Sequence, residues 1–323
     1  MSITLKSALA IVAATALALS LASAAQAAPG PKLMQFKIPT ANSSPEHITQ
    51  ASDGNFWFTE SFVNDQNVLG HNVGRITPAG VVTEFEVCQF CFPTDIVQGS
   101  DGTLYFTKND APLGRITLDG TVLPDAGAPF QFNGNGLAAH GDDIWVTDFN
   151  NDSVWRYDIP TGVFTAFPTP GGTPFDVDVD DAGIVWYADA DSQIGRLDPA
   201  TGTITAIPLA VFPREIRVAS DGAVWFTARF SPQAVGFVDP VTLAVTVFPV
   251  DGGPLDIAPA ADGSMWFTRT TAGNIARITS AGVITFESKV VKGSEPFGIT
   301  VAANGDPWFA MLSANKIATL VLQ

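Results

Sequence analysis

Ionisable side chains recur at one position of a repeated sequence pattern. Five of the seven equivalent residues are acidic or imidazole groups, and the full set is His47, Asp95, Gly136, Asp176, Glu215, Asp256 and Gly298. Carboxylates and imidazoles that lie close together can transfer protons or bind a cation, depending on their neighbours. We therefore predict that this position forms a ligand-binding site, together with Glu60 and His71.

Asp-Gly pairs follow these residues and are typical of two-residue hairpin turns. In such a hairpin, the two turn residues determine which residues of the flanking strands face each other. The predicted facing pairs are His47 with Glu60, Asp95 with Lys108, Asp256 with Arg269, Asp176 with Asp189 and Glu215 with Ala228. The first three pairs are either internal salt bridges or parts of a ligand site, and the sequence leaves both open.

Asp176 and Asp189 form the candidate metal site. Two carboxylates that face each other cannot both ionise without a shared proton, a nearby arginine or a bound cation. Arg214, Glu215 and Asp148 are the neighbours considered for this pair. An oxygen-rich site of this kind suits Mg²⁺ or Ca²⁺ better than a soft metal.

The first repeat has a longer loop than the others before its third predicted strand. This loop precedes Arg75 and includes His71. Cys88 and Cys91 follow in the next connection, at the same end, and in an oxidising compartment they favour a disulfide. A redox motif and a zinc site completed by His47 and His71 are the alternatives. Loop insertions at one end of a rigid scaffold are where binding specificity usually lies.

All these residues belong to a repeat of about 41 residues that occurs seven times. Each unit combines a Pro-x-x-Ile start, a Gly turn, an aromatic residue in a strand-like context and a segment such as Gly-Arg-Ile-Thr. The aromatic residues are Trp57, Tyr105, Trp145, Trp186, Trp225, Trp266 and Trp308. Four short strands per unit at this period predict an all-β, seven-bladed β-propeller. The last unit lacks a fourth strand, which we expect the segment from Met34 to Pro39 to supply, closing the ring.

Composition excludes several classes of protein. The 323 residues are 46% hydrophobic with a net charge of −16, too apolar for a disordered chain and too acidic for a nucleic-acid binder. Residues 1–27 match a secretory signal peptide that ends in Ala25-Gln26-Ala27, and an uncleaved anchor is the alternative. We expect residues 28–323 to form one secreted or periplasmic domain, monomeric and without a membrane span after cleavage.

The repeat resembles that of the streptogramin lyases, the virginiamycin B lyase family. The resemblance runs from about residue 33 to the end, and close matches include Asp53–Glu60 and Asp262–Phe286. It implies a seven-bladed propeller that opens a cyclic depsipeptide antibiotic by elimination at an ester, using Mg²⁺, two histidines and a glutamate. At the matching positions this chain has Leu255 and Phe297 in place of the histidines, and Glu295 as the glutamate.

Three functional hypotheses follow. The first is a binding propeller that has lost streptogramin lyase activity and holds a small molecule, a glycan or a cell-surface partner. Its site would be the channel mouth, the end of the ring at which the first strand of each unit begins, and a cationic ligand would suit the acidic chain. The second is a divalent-cation-dependent lyase, or a lactone or ester hydrolase, that uses the carboxylates. The third is an extracellular structural or adhesive module in which the facing pairs only stabilise the fold.

Overall fold

Each sequence unit folds as an antiparallel four-stranded sheet in the computed structural model of the chain. The structure describes residues 30–61, 71–88, 91–108, 113–127, 134–169, 171–289 and 291–322. Neighbouring strands in every sheet are consecutive in the chain, except that the last sheet also includes the first strand of the molecule. The described residues contain strands, turns and bends but no helix. The predicted all-β, seven-bladed propeller is therefore confirmed.

The blades are numbered in chain order, and their strands have the following bounds. Blade 1 is β2 (Pro45–Gln50), β3 (Phe56–Glu60), β4 (Asn72–Ile76) and β5 (Val82–Glu86), and blade 2 is β6 (Ile96–Gln98), β7 (Leu104–Phe106), β8 (Gly114–Ile116) and β9 (Val122–Leu123). Blade 3 is β10 (Gly134–His140), β11 (Asp143–Asp148), β12 (Ser153–Asp158) and β13 (Val163–Pro168), and blade 4 is β14 (Pro174–Val179), β15 (Val185–Asp189), β16 (Gln193–Asp198) and β17 (Thr203–Pro208).

The remaining blades follow the same order. Blade 5 is β18 (Ile216–Val218), β19 (Val224–Ala228), β20 (Ala234–Val238) and β21 (Val245–Pro249), and blade 6 is β22 (Pro254–Pro259), β23 (Met265–Arg269), β24 (Asn274–Ile278) and β25 (Ile284–Glu287). Blade 7 is β26 (Pro296–Val301), β27 (Pro307–Met311), β28 (Lys316–Val321) and β1 (Lys32–Lys37).

The first and last strands of the chain close the ring, as predicted. β1 pairs antiparallel with β28, with Lys32 opposite Val321 and Lys37 opposite Lys316. The inner strand of blade 7 also contacts that of blade 1, so the seven inner strands surround a channel. Closure removes the unpaired sheet edges that an open row of blades would expose.

Aromatic side chains of the second strands fill the spaces between blades. Trp57, for example, clusters with Ile96 and Leu104 of the next blade. In blades 1, 2, 4 and 5, an aromatic ring of the second strand explains the glycine of the third strand. A Cβ on Gly74, for example, would lie 2.1 Å from the ring of Phe58. The Gly-Arg-Ile segment of the repeat therefore marks where an aromatic ring covers the neighbouring strand. Across the described ranges, no helix is long and apolar enough to cross a membrane.

Candidate functional site

The seven recurring positions are structurally equivalent and lie at the start of the inner strands. In every blade, the residue after this position pairs with the residue after the repeat's aromatic side chain. Ile48 pairs with Phe58 in blade 1, and Ile257 pairs with Phe267 in blade 6. The predicted ring of ionisable groups therefore exists at the channel mouth.

The predicted facing pairs are wrong, because the hairpin register differs from a two-residue turn. The observed pairs include Pro45 with Glu60, Pro254 with Arg269, Pro174 with Asp189 and Asp176 with Ala188. In blades 2 and 5, the backbone of Thr107 bonds to that of Asp95 and the backbone of Thr227 bonds to that of Glu215. Lys108 and Ala228 therefore each lie one residue after the threonine that bonds to Asp95 or Glu215.

Two backbone features cause this difference. The Asp-Gly pair of blade 1 lies inside the loop 51–55, in which the N–H of Ala51 donates to the carbonyl of Asn55 at 2.9 Å. A β-bulge then places Glu46 and His47 opposite the single residue Thr59. Each bulge redirects the side chains at the strand start, so they leave the hairpin and turn toward the channel and the next blade.

The basic residues of the predicted salt bridges bind other carboxylates. Lys108 Nζ lies 2.5 Å from Asp125 Oδ2. Arg269 binds Asp251, and its Nη1 lies 2.9 Å from Glu287 Oε1. The acidic residues at the recurring position therefore remain available for contacts inside the channel.

A threonine of the second strand connects the recurring position to the following blade. Thr59 Oγ1 accepts the N–H of His47 at 3.1 Å and donates to the carbonyl of Thr94 at 2.7 Å. The same two bonds are made by Thr107, Thr147, Thr227 and Thr268. The threonine of the Trp-Phe-Thr pattern is thus a structural bridge, which explains its recurrence.

Three carboxylates of the ring bind the backbone of the next blade in the same way. The bonds run from Leu137 N–H to Asp95 at 2.7 Å, from Ile216 N–H to Asp176 at 2.9 Å and from Ile299 N–H to Asp256 at 2.8 Å. All three carboxylates are at most 3% exposed, so each bond satisfies one oxygen of a group that is almost fully removed from water. Asp176 Oδ1 is buried and has no hydrogen-bond partner among the described residues.

Arg217 is the main cation inside the channel, and the sequence analysis missed it. Its Nη1 lies 2.6 Å from Asp176 Oδ2, and its Nη2 lies 3.6 Å from Asp256 Oδ1. Burial lowers the pKa of Arg217, but these carboxylates outweigh burial and raise it well above its ordinary value. Arg217 follows Glu215 by two residues, so strand alternation places both on the inner face, and this spacing is the signal that could have identified it.

A cavity of about 500 Å³ extends along the channel from these groups. Its polar lining includes His47, Gln50, Asp95, Gln98, Asp178, Arg217 and Asp256. His47 Nδ1 lies 3.5 Å from Asp95 Oδ1, so the two groups form an ion pair when the imidazole is protonated. Burial raises the pKa of both Asp95 and Asp178, which favours their neutral forms.

Asp176 and Asp189 do not meet as the predicted metal pair. Asp176 binds Arg217, whereas Asp189 accepts hydrogen bonds from Gln193 Nε2 at 3.0 Å and from the N–H of Asp191 at 2.9 Å. In the part of the chain that the structure describes, no group of three His, Cys, Asp or Glu residues is arranged to hold a metal ion. The facing carboxylates on which the Mg²⁺ or Ca²⁺ prediction depended are therefore not present as a pair.

Glu60 is enclosed within blade 1 rather than directed into the channel. It is 1% exposed, and Asn72 Nδ2 lies 3.5 Å from its Oε2. Burial and then the neighbouring charge of Glu84 raise the pKa of Glu60 to about 8. His71 lies directly before the third strand, where its carbonyl accepts the N–H of Val87 at 2.7 Å.

The two cysteines are joined in a disulfide, which confirms the first of the three alternatives. The Cα atoms of Cys88 and Cys91 are 6.0 Å apart. The long loop of the first blade falls largely on residues 62–70, which lie outside the described residues.

At the mouth, the two positions that the family resemblance assigns to histidines have apolar side chains. Leu255 is fully buried, and the ring of Phe297 packs edge-on against His47 with centroids 5.8 Å apart. Glu295 accepts a hydrogen bond from the hydroxyl of Ser313. A Mg²⁺ ion here would find one carboxylate and no donor from either apolar side chain, so these residues do not fit it.

Phenylalanines from three blades form an arc along the mouth. The arc consists of Phe149, Phe175, Phe212 and Phe230, with successive ring centroids 5.1, 5.6 and 6.1 Å apart. The guanidinium carbon of Arg214 lies 4.5 Å from the centroid of Phe175, and that of Arg229 lies 5.9 Å from the centroid of Phe230. The sequence analysis missed this arc because its members occupy different positions of the repeat.

These features define a class of protein: a closed seven-bladed propeller whose mouth combines buried carboxyl groups, two arginines and an aromatic arc. The chain belongs to the virginiamycin B lyase family, whose family model matches residues 24–209 and 136–323. The two matched ranges together extend over most of the chain, as expected for an internal repeat that aligns in more than one phase.

Three solved structures are similar to this chain over nearly all of its length. A streptogramin B lyase is 25% identical with a TM-score of 0.81, covering 91% of this chain and 98% of its own. The selenomethionine-substituted virginiamycin B lyase from Staphylococcus aureus is 25% identical with a TM-score of 0.80, covering 91% and 100%. A catalytically inactive variant of the Staphylococcus aureus enzyme with quinupristin is 26% identical with a TM-score of 0.80, covering 91% and 100%. A search of curated proteins gave no match.

Proposed function

We propose that this chain is an exported, ligand-binding member of the virginiamycin B lyase family that does not open streptogramin rings. The observation that supports this most directly is that Leu255 and Phe297 stand at the two positions that the family resemblance assigns to histidines. Leu255 is fully buried and Phe297 packs on His47, so neither position offers a group that could remove a proton from a substrate carbon. Export is inferred from the signal-peptide pattern of residues 1–27.

The binding part of the proposal rests on the composition of the mouth. Phe230 is 58% exposed and Phe149 is 38% exposed, although both belong to an arc of touching rings. Aromatic side chains held in a row with exposed ends offer a large contact area at little conformational cost. Charged groups border this apolar surface, a combination typical of small-molecule sites.

Incubation with quinupristin and Mg²⁺, followed by chromatography and mass spectrometry, tests the loss of lyase activity. Elimination breaks the ester C–O bond and forms an alkene and a carboxylic acid, so the opened product keeps the mass of quinupristin but elutes differently. Hydrolysis would add the mass of one water. We expect quinupristin to be recovered unchanged under conditions in which the Staphylococcus aureus lyase opens it completely. A product of unchanged mass and altered retention would refute the proposal, and a hydrated product would favour the hydrolase alternative.

Binding at the mouth is tested with aromatic probes and saturation-transfer NMR. The probes are N-acetylphenylalanine, its neutral amide and phenethylamine, so that a site of any charge preference is detected. We expect at least one probe to bind the wild type. The same probe should bind Phe230→Ala more weakly and Val241→Ala with unchanged affinity. Val241 is a matched control because it is an apolar side chain that is 88% exposed. The absence of binding by all three probes would refute the proposal.

A further inference from the structure

Two arginines lie on the same hairpin at the blade 5 part of the mouth. Arg214 precedes the inner strand, and Arg229 directly follows β19, so the hairpin of blade 5 brings them together. Burial and then the positive charge of Arg214 lower the pKa of Arg229. Two guanidinium groups that raise each other's energy in this way are stabilised by an anion placed between them.

Neither guanidinium has a hydrogen-bond partner among the described residues. The nearest carboxylate oxygen to Arg214 is Glu215 Oε1, which lies 3.7 Å from Nε and is too far for a hydrogen bond. Arg214 Nη1 is buried and has no hydrogen-bond partner, although the side chain as a whole is 21% exposed. A guanidinium has five N–H donors, so both groups retain donor capacity that a ligand could use.

The carboxyl groups nearest to Arg214 are poor counter-charges. Burial and then the charge of Asp176 raise the pKa of Glu215 well above its ordinary value. Burial also raises the pKa of Glu46, a carboxyl group that interacts with the charge of Arg214. A raised pKa makes a carboxyl group a weaker counter-charge for a guanidinium. The charges of Glu295 and Glu215 also act on Arg229, but they do not offset the lowering of its pKa.

The aromatic arc holds the two guanidinium groups in place. The guanidinium of Arg214 stacks on the ring of Phe175 at 4.5 Å, and Phe175 in turn contacts Phe212. Arg229 contacts Phe230 at the exposed end of the arc. Stacking leaves the edges of a planar guanidinium free for a carboxylate, and the neighbouring rings offer an apolar surface of the size of a ligand's aromatic ring. Charge and apolar surface therefore adjoin each other within a few ångströms.

We propose that Arg214, Arg229 and the rings of Phe175, Phe212 and Phe230 form a subsite for an aromatic carboxylic acid. The carboxylate accepts hydrogen bonds from the two guanidinium groups, and the aromatic ring of the ligand packs on the arc. This assignment rests on the proposed role of the mouth in binding and specifies the ligand class. It replaces the expectation of a cationic ligand, which followed from the net charge of the chain alone.

The test compares N-acetylphenylalanine with N-acetylphenylalaninamide, in which a neutral carboxamide of similar shape replaces the carboxylate, by titration calorimetry at low salt. We expect the acid to bind at least about tenfold more tightly than the amide, since charge-assisted hydrogen bonds add this much. Arg214→Gln and Arg229→Gln should each remove this preference, and added salt should reduce it. Arg196→Gln should not, although Arg196 also stacks on an aromatic ring, that of Trp186, at 5.7 Å.

The outcomes separate this inference from the proposed function. Equal affinity for the acid and the amide would refute the anionic subsite while leaving binding at the mouth intact. Tighter binding of phenethylamine than of the acid would refute it in the same way. If none of the probes binds, the proposed binding function itself fails. The comparison of acid with amide uses the wild-type protein, so its result does not depend on whether an arginine variant folds.

Discussion

The buried carboxyl group of Glu60 should make the stability of the protein depend on pH. The side chain is 1% exposed, its Oε1 has no hydrogen-bond partner, and Glu84 lies beside it. Glu84 in turn accepts the N–H of Thr40 at 3.1 Å, in the segment that joins the ring-closing strand to blade 1. Replacement by glutamine keeps the shape of the side chain and removes its titration.

The sign and size of the effect follow from the two pKa values. The pKa is about 8 in the folded protein against an ordinary value of 4.5, so between these values the folded state holds one more proton than the unfolded state. The free energy of unfolding therefore falls as pH rises, by about 1.4 kcal/mol per pH unit. Over the whole range the loss amounts to at most about 5 kcal/mol. Below pH 4.5 and above pH 8 this group contributes no slope.

Urea unfolding followed by tryptophan fluorescence from pH 4 to pH 9 measures the effect. We expect wild type and Glu60→Gln to differ little at pH 4, and the variant to become progressively more stable than the wild type up to about pH 8. Glu86→Gln is the matched control, because Glu86 is an exposed glutamate at the end of β5. Because other buried acids also titrate, the quantity of interest is the difference between wild type and variant. A difference that is constant across the pH range would refute the reasoning.

Two further predictions concern the inner strands. Arg217→Met should lower the free energy of unfolding by about 3–5 kcal/mol, because it leaves the buried carboxylates of Asp176 and Asp256 without their cation; denaturant unfolding checks this, and a loss below 1 kcal/mol would contradict it. Gly298→Ala should destabilise by about 1–3 kcal/mol, because its Cβ would lie 2.5 Å from the carbonyl oxygen of Glu46 in the adjacent inner strand. Gly127→Ala, where nothing lies within 4 Å, should leave the melting temperature almost unchanged in the same thermal scan.

The blade count and the closure of the ring could be predicted from the repeat. Each blade is built from contacts between neighbouring residues and strands, so its pattern recurs visibly in the chain. The segment that contains Met34 was identified as the missing strand because the last repeat ends one strand early, and β1 pairs with β28 as expected. The ring of acidic residues was found for the same reason, since equivalent residues share a position in each unit.

The facing pairs could not be predicted in this way. Asp53 and Gly54 look like a two-residue turn but belong to the longer loop 51–55, and the bulge at Glu46 and His47 leaves no mark in the hydrophobic alternation. A change of one residue in register moves every side chain to a different neighbour. This is why Asp176 meets Arg217 rather than Asp189.

The sequence alone thus determined the number of blades, the closure of the ring and the family to which the chain belongs. These properties depend on local strand patterns and on their repetition, and both are visible along the sequence. Only the tertiary structure decided which side chains contact one another at the mouth. The hairpin of blade 5 places Arg214 and Arg229 along one phenylalanine arc. The arc joins residues of three blades, of which Phe149 and Phe230 are 81 residues apart. Contacts of this kind arise from the curvature of the ring, which brings together side chains that no periodic pattern relates.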